Sequence, residues 1–210
     1  MCSLTIIVTL CTISAVLAAP AVNTRIIGGV EADIGDIPYI VSVRAMGKAG
    51  CGGTILSETY VVTAAHCIYT WVNLPQGLSI QYGVVEVSPK GPNRIRVKRV
   101  LVHEQFDIDS PGIINDIAIL ELVDKIKFGP TVQPAKLPTQ SEEIKDLSVA
   151  TIAGWGLISN NGTQTTHLMS TVVLTFSNEY CYSLDNRYNS TVHICGGLID
   201  GGTGQCTVST

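Results

Sequence analysis

A histidine and an aspartate in two separate motifs are the residues of this sequence best suited to chemistry. The motifs are Thr63-Ala64-Ala65-His66-Cys67 and Asn115-Asp116-Ile117-Ala118-Ile119-Leu120. Because Asp116 opens an apolar run, its carboxylate is expected to be partly buried and to need a hydrogen-bond donor. The imidazole N–H of His66 is a suitable donor, and such a pair fixes the tautomer and stabilises the imidazolium. Considered alone, His66 would be interpreted as an ordinary, partly buried histidine.

Short apolar or alternating runs separated by turn residues predict the elements that position these two side chains. Residues 41–44 and 94–100 alternate with the period of two expected of a half-buried strand. The predicted strands are residues 39–43, 53–56, 60–63, 78–82, 94–102, 117–122, 147–154, 167–174 and 192–194, and residues 177–188 are predicted as a short helix and loop. Pro130, Pro134 and Pro138 mark a crossing between two halves. This pattern favours an all-β architecture of two small barrels or sheets.

Composition and charge exclude several classes of function. Hydrophobic residues make up 46% of the 210 residues and charged residues 14%, which is typical of a folded protein and not of a disordered one. The formal net charge is -4 and no basic stripe is present, so no nucleic-acid partner is expected. The remaining histidines, His103, His167 and His193, lack metal-ligand spacing, and neither a metal nor another cofactor is expected.

The N-terminal residues have the pattern of a secretory signal peptide. Residues 1–19 contain no charged side chain, and an apolar run from Leu4 to Leu17 ends in small residues. Cleavage after Ala18 is therefore predicted. The alternative is a membrane anchor, but the run is short for a span of about 20 residues. We expect a secreted, extracellular protein without a membrane partner.

Export affects how the cysteines and two asparagines are interpreted. The cysteines beyond the signal are Cys51, Cys67, Cys181, Cys195 and Cys206. An odd number in a secreted protein implies a free thiol, an intermolecular bridge or a missing partner. Asn161-Gly162-Thr163 and Asn189-Ser190-Thr191 match the acceptor pattern for N-glycosylation.

Several sequence blocks together resemble the chymotrypsin-like serine endopeptidases. These blocks are Arg25-Ile26-Ile27-Gly28-Gly29, Cys51-Gly52-Gly53, Thr63-Ala64-Ala65-His66-Cys67, Asn115-Asp116-Ile117-Ala118 and Gly154-Trp155-Gly156. They occur in the family's chain order and, with Cys206, cover nearly the whole chain after the signal. The resemblance implies two antiparallel six-stranded β-barrels, the second incomplete here. It also implies a signal peptide at residues 1–18, an activation propeptide at 19–25 and a peptidase domain at 26–210 that lacks its C-terminal end.

The resemblance also implies roles for individual residues. His66 would be the general base and Asp116 would orient it. Cleavage after Arg25 would free the amino group of Ile26, whose usual task is to pair with a buried aspartate. Disulfides would join Cys51 to Cys67 and Cys181 to Cys195. The implied partners are protein or peptide substrates, an activating protease and protein inhibitors.

The sequence departs from the family after Cys206. The family's nucleophile lies there in a Gly-Asp-Ser-Gly-Gly run, but this sequence reads Thr207-Val208-Ser209-Thr210. Val208 stands at the oxyanion-hole glycine, Ser209 at the activation aspartate and Thr210 at the nucleophile. Residues 1–210 are therefore expected to be inactive, with Cys206 unpaired. Gly204, at the base of the implied specificity pocket, offers no carboxylate for a Lys or Arg side chain, which favours apolar or aromatic side chains.

Three functions remain open from the sequence. The first, which we favour, is a secreted endopeptidase zymogen whose sequence is incomplete here, since Val-Ser is also what a splice-donor sequence encodes in frame. The second is a catalytically dead binding homologue, and the third is a non-functional truncated isoform. Intact His66, Asp116 and Arg25-Ile26 favour the first, because a long-inactive homologue has no need of them.

Overall fold

The computed structural model describes residues 29–156 and 165–198. The predicted signal peptide and propeptide lie outside these residues. So do five residues to which the sequence assigns a role, namely Arg25, Ile26, Asn161, Gly204 and Cys206.

The described chain is built mainly from β-strands, as the sequence predicts. The elements are β1 (Val30–Glu31), β2 (Ile40–Ala45), β3 (Lys48–Ile55), β4 (Tyr60–Thr63), β5 (Leu78–Tyr82), β6 (Arg94–Val102), β7 (Ala118–Leu122), β8 (Val149–Gly154), β9 (Met169–Thr175), α1 (Asn178–Leu184) and β10 (Gly196–Gly197). Short 3-10 helices occupy Ala65–Cys67, Tyr69–Trp71 and Pro75–Gly77. The predicted all-β class is therefore confirmed.

Six antiparallel strands of the first half close into a barrel in the order β2-β3-β4-β7-β6-β5. Closure leaves none of these strands with a free edge, which removes a route to edge-to-edge association. Inward-facing aliphatic side chains fill the interior, and the most deeply buried are Val41, Ile55, Val61, Ile80 and Leu120. One closed barrel of the expected type is thus present in the first half.

Two strands of this barrel depart from the simple alternation of the sequence. All four residues 41–44 of β2 are buried, including Ser42 and Arg44, so β2 is covered on both faces. In β6 the register shifts between Val97 and Arg99, which places Lys98 and Arg99 together on the outer face. Both of these side chains bind Glu121 of the neighbouring strand, at 2.6 and 2.9 Å.

The described part of the second half is an open four-stranded sheet. β9 lies at its centre and pairs with β8 along one edge, while β1 and β10 pair with opposite ends of its other edge. This is an incomplete second barrel, as the family resemblance implies. The predicted strand at residues 192–194 is wrong, because the N–H groups of Val192 and His193 bond to Asn189 O in a turn.

The two halves are joined by an apolar cluster and by hydrogen bonds. Ala32, Val87, Trp155 and Leu168 are buried in this cluster. The indole N–H of Trp155 donates to Val85 O at 2.8 Å, and Leu168 N–H donates to the same carbonyl at 2.7 Å. The proline-containing crossing segment runs back along the barrel and bonds to its backbone. These contacts place the edge of the sheet beside the barrel and leave a cleft between them.

The helix α1 is short and capped at its start. Ser177 Oγ accepts a hydrogen bond from Tyr180 N–H at 3.2 Å, as an N-cap serine does. Its buried side is formed by Cys181. In the described ranges, none of the helices has both the length and the apolar character needed to span a membrane.

The barrel core generates a stability prediction. Leu120 is fully buried, whereas Leu101 on the adjacent strand is 40% exposed. Leu120→Ala should lower the free energy of unfolding by about 2–5 kcal/mol, because it removes buried methyl groups and leaves a cavity. Leu101→Ala should change it by less than about 1 kcal/mol. Urea unfolding of the full chain measures both, and equal losses would contradict the assigned burial.

Candidate active site

Strand pairing in the barrel brings His66 and Asp116 together. His66 lies in the 3-10 turn directly after β4, and Asp116 lies directly before β7. The two strands are antiparallel neighbours, with Thr63 opposite Ala118. The end of β4 and the start of β7 therefore meet at one rim of the barrel, although the two residues are 50 positions apart.

Both carboxylate oxygens of Asp116 accept hydrogen bonds from His66. Oδ2 lies 2.6 Å from the ring Nδ1, and Oδ1 accepts the backbone N–H of His66 at 2.8 Å. The two side chains are 22% and 21% exposed. Because an ionised carboxylate can only accept, Nδ1 carries the proton and Nε2 presents its lone pair. The arrangement gives an oriented imidazole that is able to accept a proton at Nε2.

The backbone before β7 holds Asp116 in a tight turn. Asn115 has a φ of 53°, in the left-handed region that asparagine tolerates better than most residues. Ile117 N–H donates to Asn115 O at 2.8 Å, and the Asn115 side chain donates to Gln105 O at 2.9 Å. The aspartate is thus fixed from its own chain as well as by the histidine.

Both disulfides that the family resemblance implies are formed. Cys51 bonds to Cys67 and ties β3 to the turn that carries His66, while Cys181 bonds to Cys195. Ligand atoms of Cys51, His66 and Cys67 lie within 4.8 Å of one another. Because the two sulfurs are bonded to each other, neither is a thiolate able to bind a metal ion, so this cluster is interpreted as a structural brace for His66.

A cleft of about 1400 Å³ runs between the barrel and the second half, and His66 and Asp116 line it. Thr151 and Ala153 of β8 belong to its opposite wall, together with Val192. A cleft of this size accommodates several residues of an extended peptide. The proton-accepting histidine therefore lies where a peptide chain could be bound.

Two lining loops, one from each half, contact each other at this cleft. The ring of His193 accepts Asn189 N–H at Nδ1 (3.1 Å), and its Nε2 donates to Ile113 O at 3.3 Å. Gly112 has a φ of +85°, and a Cβ atom there would lie 2.6 Å from Arg187 O. The contact therefore needs a glycine at position 112. No local signal in the sequence could show that this glycine faces a residue of the other half.

A charged pair lies on the second-half side of the cleft. Arg187 donates from Nε and Nη2 to the two carboxylate oxygens of Asp185, at 2.9 and 2.6 Å. These hydrogen bonds, and then one from the backbone N–H of Arg187 at 3.0 Å, lower the pKa of Asp185 from 3.8 to about 2. The carboxylate therefore remains ionised throughout the pH range in which a peptide would be bound.

Asn189 is exposed beside the cleft, and its side chain is ordered by its own acceptor motif. Its Oδ1 accepts both the N–H and the hydroxyl of Thr191, at 3.0 and 2.7 Å. Of the site residues predicted from the sequence, the structure thus brings together His66, Asp116 and the two disulfides. It places Asn189 on the rim of the cleft.

Comparisons with known proteins agree with this geometry. The family model described as Trypsin matches residues 26–207. The chain is 38% identical over 187 residues to "Trypsin" of Phaedon cochleariae, covering 88% of this chain and 71% of that protein. It is 32% identical over 189 residues to "Ovochymase-2" of Mus musculus, covering 87% of this chain and 31% of that protein.

The loop contact at the cleft predicts the effect of a small substitution. Gly112→Ala should lower the free energy of unfolding by about 1–3 kcal/mol, because the new methyl group would be strained and would collide with Arg187 O. Gly129→Ala is the matched control, since a Cβ there meets no atom within 4 Å. Hydrogen exchange at residues 107–115 and 185–193 should rise only in the first variant. Unchanged exchange in both would contradict the contact.

The charged pair predicts a pH response. The folded pKa of Asp185 lies below its ordinary value, so its contribution to stability is complete above about pH 4 and is lost as the pH falls towards 2. Arg187→Gln should return this pKa towards 3.8, measured by carboxyl-carbon NMR titration. Lys98→Gln, which removes a cation from the barrel, should leave it at about 2. A low pKa that persists without Arg187 would rule out this cause.

Proposed function

This chain belongs to the trypsin family of serine endopeptidases, and on that basis we propose that it is a secreted endopeptidase zymogen in which His66 acts as the general base. The observation that carries the proposal is the two-point contact between His66 and Asp116 inside a peptide-sized cleft. The substrates would be proteins or peptides.

In the proposed mechanism Nε2 of His66 takes the proton of an attacking serine hydroxyl. Asp116 stabilises the imidazolium that forms, and Nε2 then gives the proton to the leaving amine. The hydroxyl has to lie within hydrogen-bond reach of Nε2, about 2.6–3.2 Å. The family pattern expects this serine at the position that Thr210 occupies, with the run Gly-Asp-Ser directly after Thr207.

We propose that residues 1–210 do not complete this site. The aligned positions are Val208 for the oxyanion-hole glycine, Ser209 for the activation aspartate and Thr210 for the nucleophile. Ser209 carries no charge to pair with a free Ile26 ammonium, and Val208 carries a branched side chain where the Gly-Asp-Ser-Gly-Gly run has a glycine. A protein that carries this run would be the active form.

Secretion and proteolytic activation of the chain are further parts of the proposed function. Residues 1–18 would direct secretion, and a protease that recognises Arg25 would free Ile26. Gly204 would give the primary pocket a preference for apolar or aromatic side chains. Protein inhibitors of the family would compete for the same cleft. Asn189 would carry a glycan, which its exposure beside the cleft supports.

A second candidate is a secreted homologue that binds peptides without cleaving them. Described residues of both halves line the cleft, among them Thr63 of the barrel and Ala153 of β8, which supports the binding of a peptide between them. The two candidates differ in the codons that the transcript carries after Thr207 and in whether hydrolysis accompanies binding.

The test is to sequence the transcript across Cys206 and to compare both secreted forms with casein-derived fluorogenic peptides. A form with Gly-Asp-Ser-Gly-Gly after Thr207, cleaved after Arg25, should hydrolyse them. In that form His66→Ala and Asp116→Asn should each lower kcat/KM by about 10⁴-fold. His167→Ala is the control, because His167 is exposed and outside the cleft. Residues 1–210 should show no hydrolysis.

Two results would contradict the proposal. Hydrolysis by residues 1–210 that survives His66→Ala would show that another base acts. A transcript with a stop after Thr210 in every copy would leave binding as the function of the cleft.

A further inference from the structure

Two arginines beneath the loop at residues 88–93 have buried nitrogens that lack a hydrogen-bond partner. Arg44, on β2, is 2% exposed, and Arg94, at the start of β6, is partly buried. Nε of each is buried and unbonded. Within residues 29–156 and 165–198 no other buried side-chain nitrogen or oxygen is left in this state. The barrel therefore concentrates its unsatisfied polar atoms in one place.

The hydrogen bonds that these arginines do make are all to neutral acceptors. Arg44 donates from Nη1 to Gln81 Oε1 at 3.3 Å and from Nη2 to Gly47 O at 2.7 Å. Arg94 donates from Nη2 to Ser88 O at 2.7 Å. Amide and carbonyl oxygens satisfy donors, but they do not neutralise the charge of a guanidinium group.

Among the described residues, a carboxylate partner is also lacking. Of the 17 acidic residues in the sequence, only Asp200 lies outside the described ranges. The ion pairs formed by the described residues do not involve Arg44 or Arg94. Burial, and then repulsion by the charge of Arg94, lower the pKa of Arg44. Buried cations are rarely left unpaired, because desolvation costs several kcal/mol per ion.

We propose that Arg44 and Arg94 form a binding site for a small oxyanion, of the class of sulfate or inorganic phosphate. Such an anion supplies the negative charge that both side chains lack and offers acceptors to their Nε–H groups. The planar, many-donor guanidinium group matches the oxygens of these anions. Three strands contribute to the site, because Gln81 on β5 links Arg44 to the covering loop by donating to Pro92 O at 3.2 Å.

The covering loop controls access to this site. A Cβ atom on Gly91 would lie 2.1 Å from Gln81 Nε2, so the loop packs against Gln81, the residue that accepts a hydrogen bond from Arg44, and Arg94 bonds to Ser88 O of the same loop. Its tip, Pro89 and Lys90, is exposed. The anion enters when this loop lifts, and it binds the folded barrel only. None of these residues lines the cleft that contains His66.

The test uses the full chain and does not depend on catalysis. The thermal unfolding midpoint is measured against sodium sulfate, with sodium chloride added to keep the ionic strength constant. The midpoint of the unsubstituted chain should rise and then saturate, because a ligand that binds only the folded state stabilises it. Arg94→Gln should weaken this response at least tenfold. Arg96→Gln should leave it unchanged, because Arg96 is exposed two residues further along the same strand.

Direct measurement of anion binding tests the site even if sulfate changes the thermal unfolding midpoint only slightly. Isothermal titration should detect sulfate and phosphate binding to the unsubstituted chain and to Arg96→Gln, but not to Arg94→Gln. In buffer without oxyanions, Arg94→Gln should unfold at an equal or higher temperature, because it removes a like charge beside Arg44. A linear rise shared by all three proteins would be the general exclusion of sulfate from protein surfaces, and it would overturn the proposal. Saturable binding that survives Arg94→Gln, or equal binding of chloride, would also overturn it.

Discussion

The antiparallel pairing of β4 with β7 is the constraint on which the rest of this structure depends. Thr63 faces Ala118, so the segments after β4 and before β7 leave the barrel at the same rim. His66 and Asp116 occupy those two segments. Because side chains alternate along a strand, a slip of one residue would turn the buried side chains of β7 outwards and carry Asp116 away from the imidazole. The register that buries the barrel core is therefore the same register that orients the histidine.

The alternation of apolar and polar residues and the short motifs of the sequence correctly predict several strands and the contacting pair of side chains. The bounds of β4, β5 and β6 match the alternating runs, and the His66 and Asp116 motifs identify the contacting pair. The features that the sequence analysis did not predict depend on contacts with residues distant in the sequence. β3 runs through Gly52 and Gly53, which weaken a strand signal, yet a Cβ on Gly53 would lie 3.0 Å from atoms of three neighbours. Residues 192–194 have strand composition, but their N–H groups are taken by a turn. Similarly, Arg44 alternates with valines as an outward residue would, yet it is buried and donates hydrogen bonds to Gln81 and to Gly47 O.

The charged side chains of this protein occur in three kinds of environment. Lys98 and Arg99 bind Glu121 on the exposed outer face, where water screens the attraction and the pairs contribute little. The Asp116 side chain is 21% exposed, and both of its carboxylate oxygens accept hydrogen bonds from His66. One of these bonds comes from the ring Nδ1, so the carboxylate orients the imidazole. Arg44 is the opposite case, since it is buried with neutral acceptors and a neighbouring like charge. Within the described part of the chain, the Arg44 guanidinium therefore lacks the opposite charge that the other two groups have, and this difference is the observation on which the proposed anion site rests.

The contacts that hold the His66–Asp116 pair limit what the pair implies about catalysis. Among the described residues, the contacts that orient it come from the barrel, the Cys51–Cys67 disulfide and the loop before β7. The pair can therefore form whether or not a nucleophile stands opposite Nε2. The described part of the cleft also includes residues of β8 and of the loop carrying His193. Orientation of the imidazole is thus a property of the folded barrel, whereas the proposed hydrolysis additionally requires a hydroxyl and an oxyanion site, which the family places directly after Cys206. The proposed catalysis consequently depends on one short stretch of chain acting on a histidine that the barrel has already positioned.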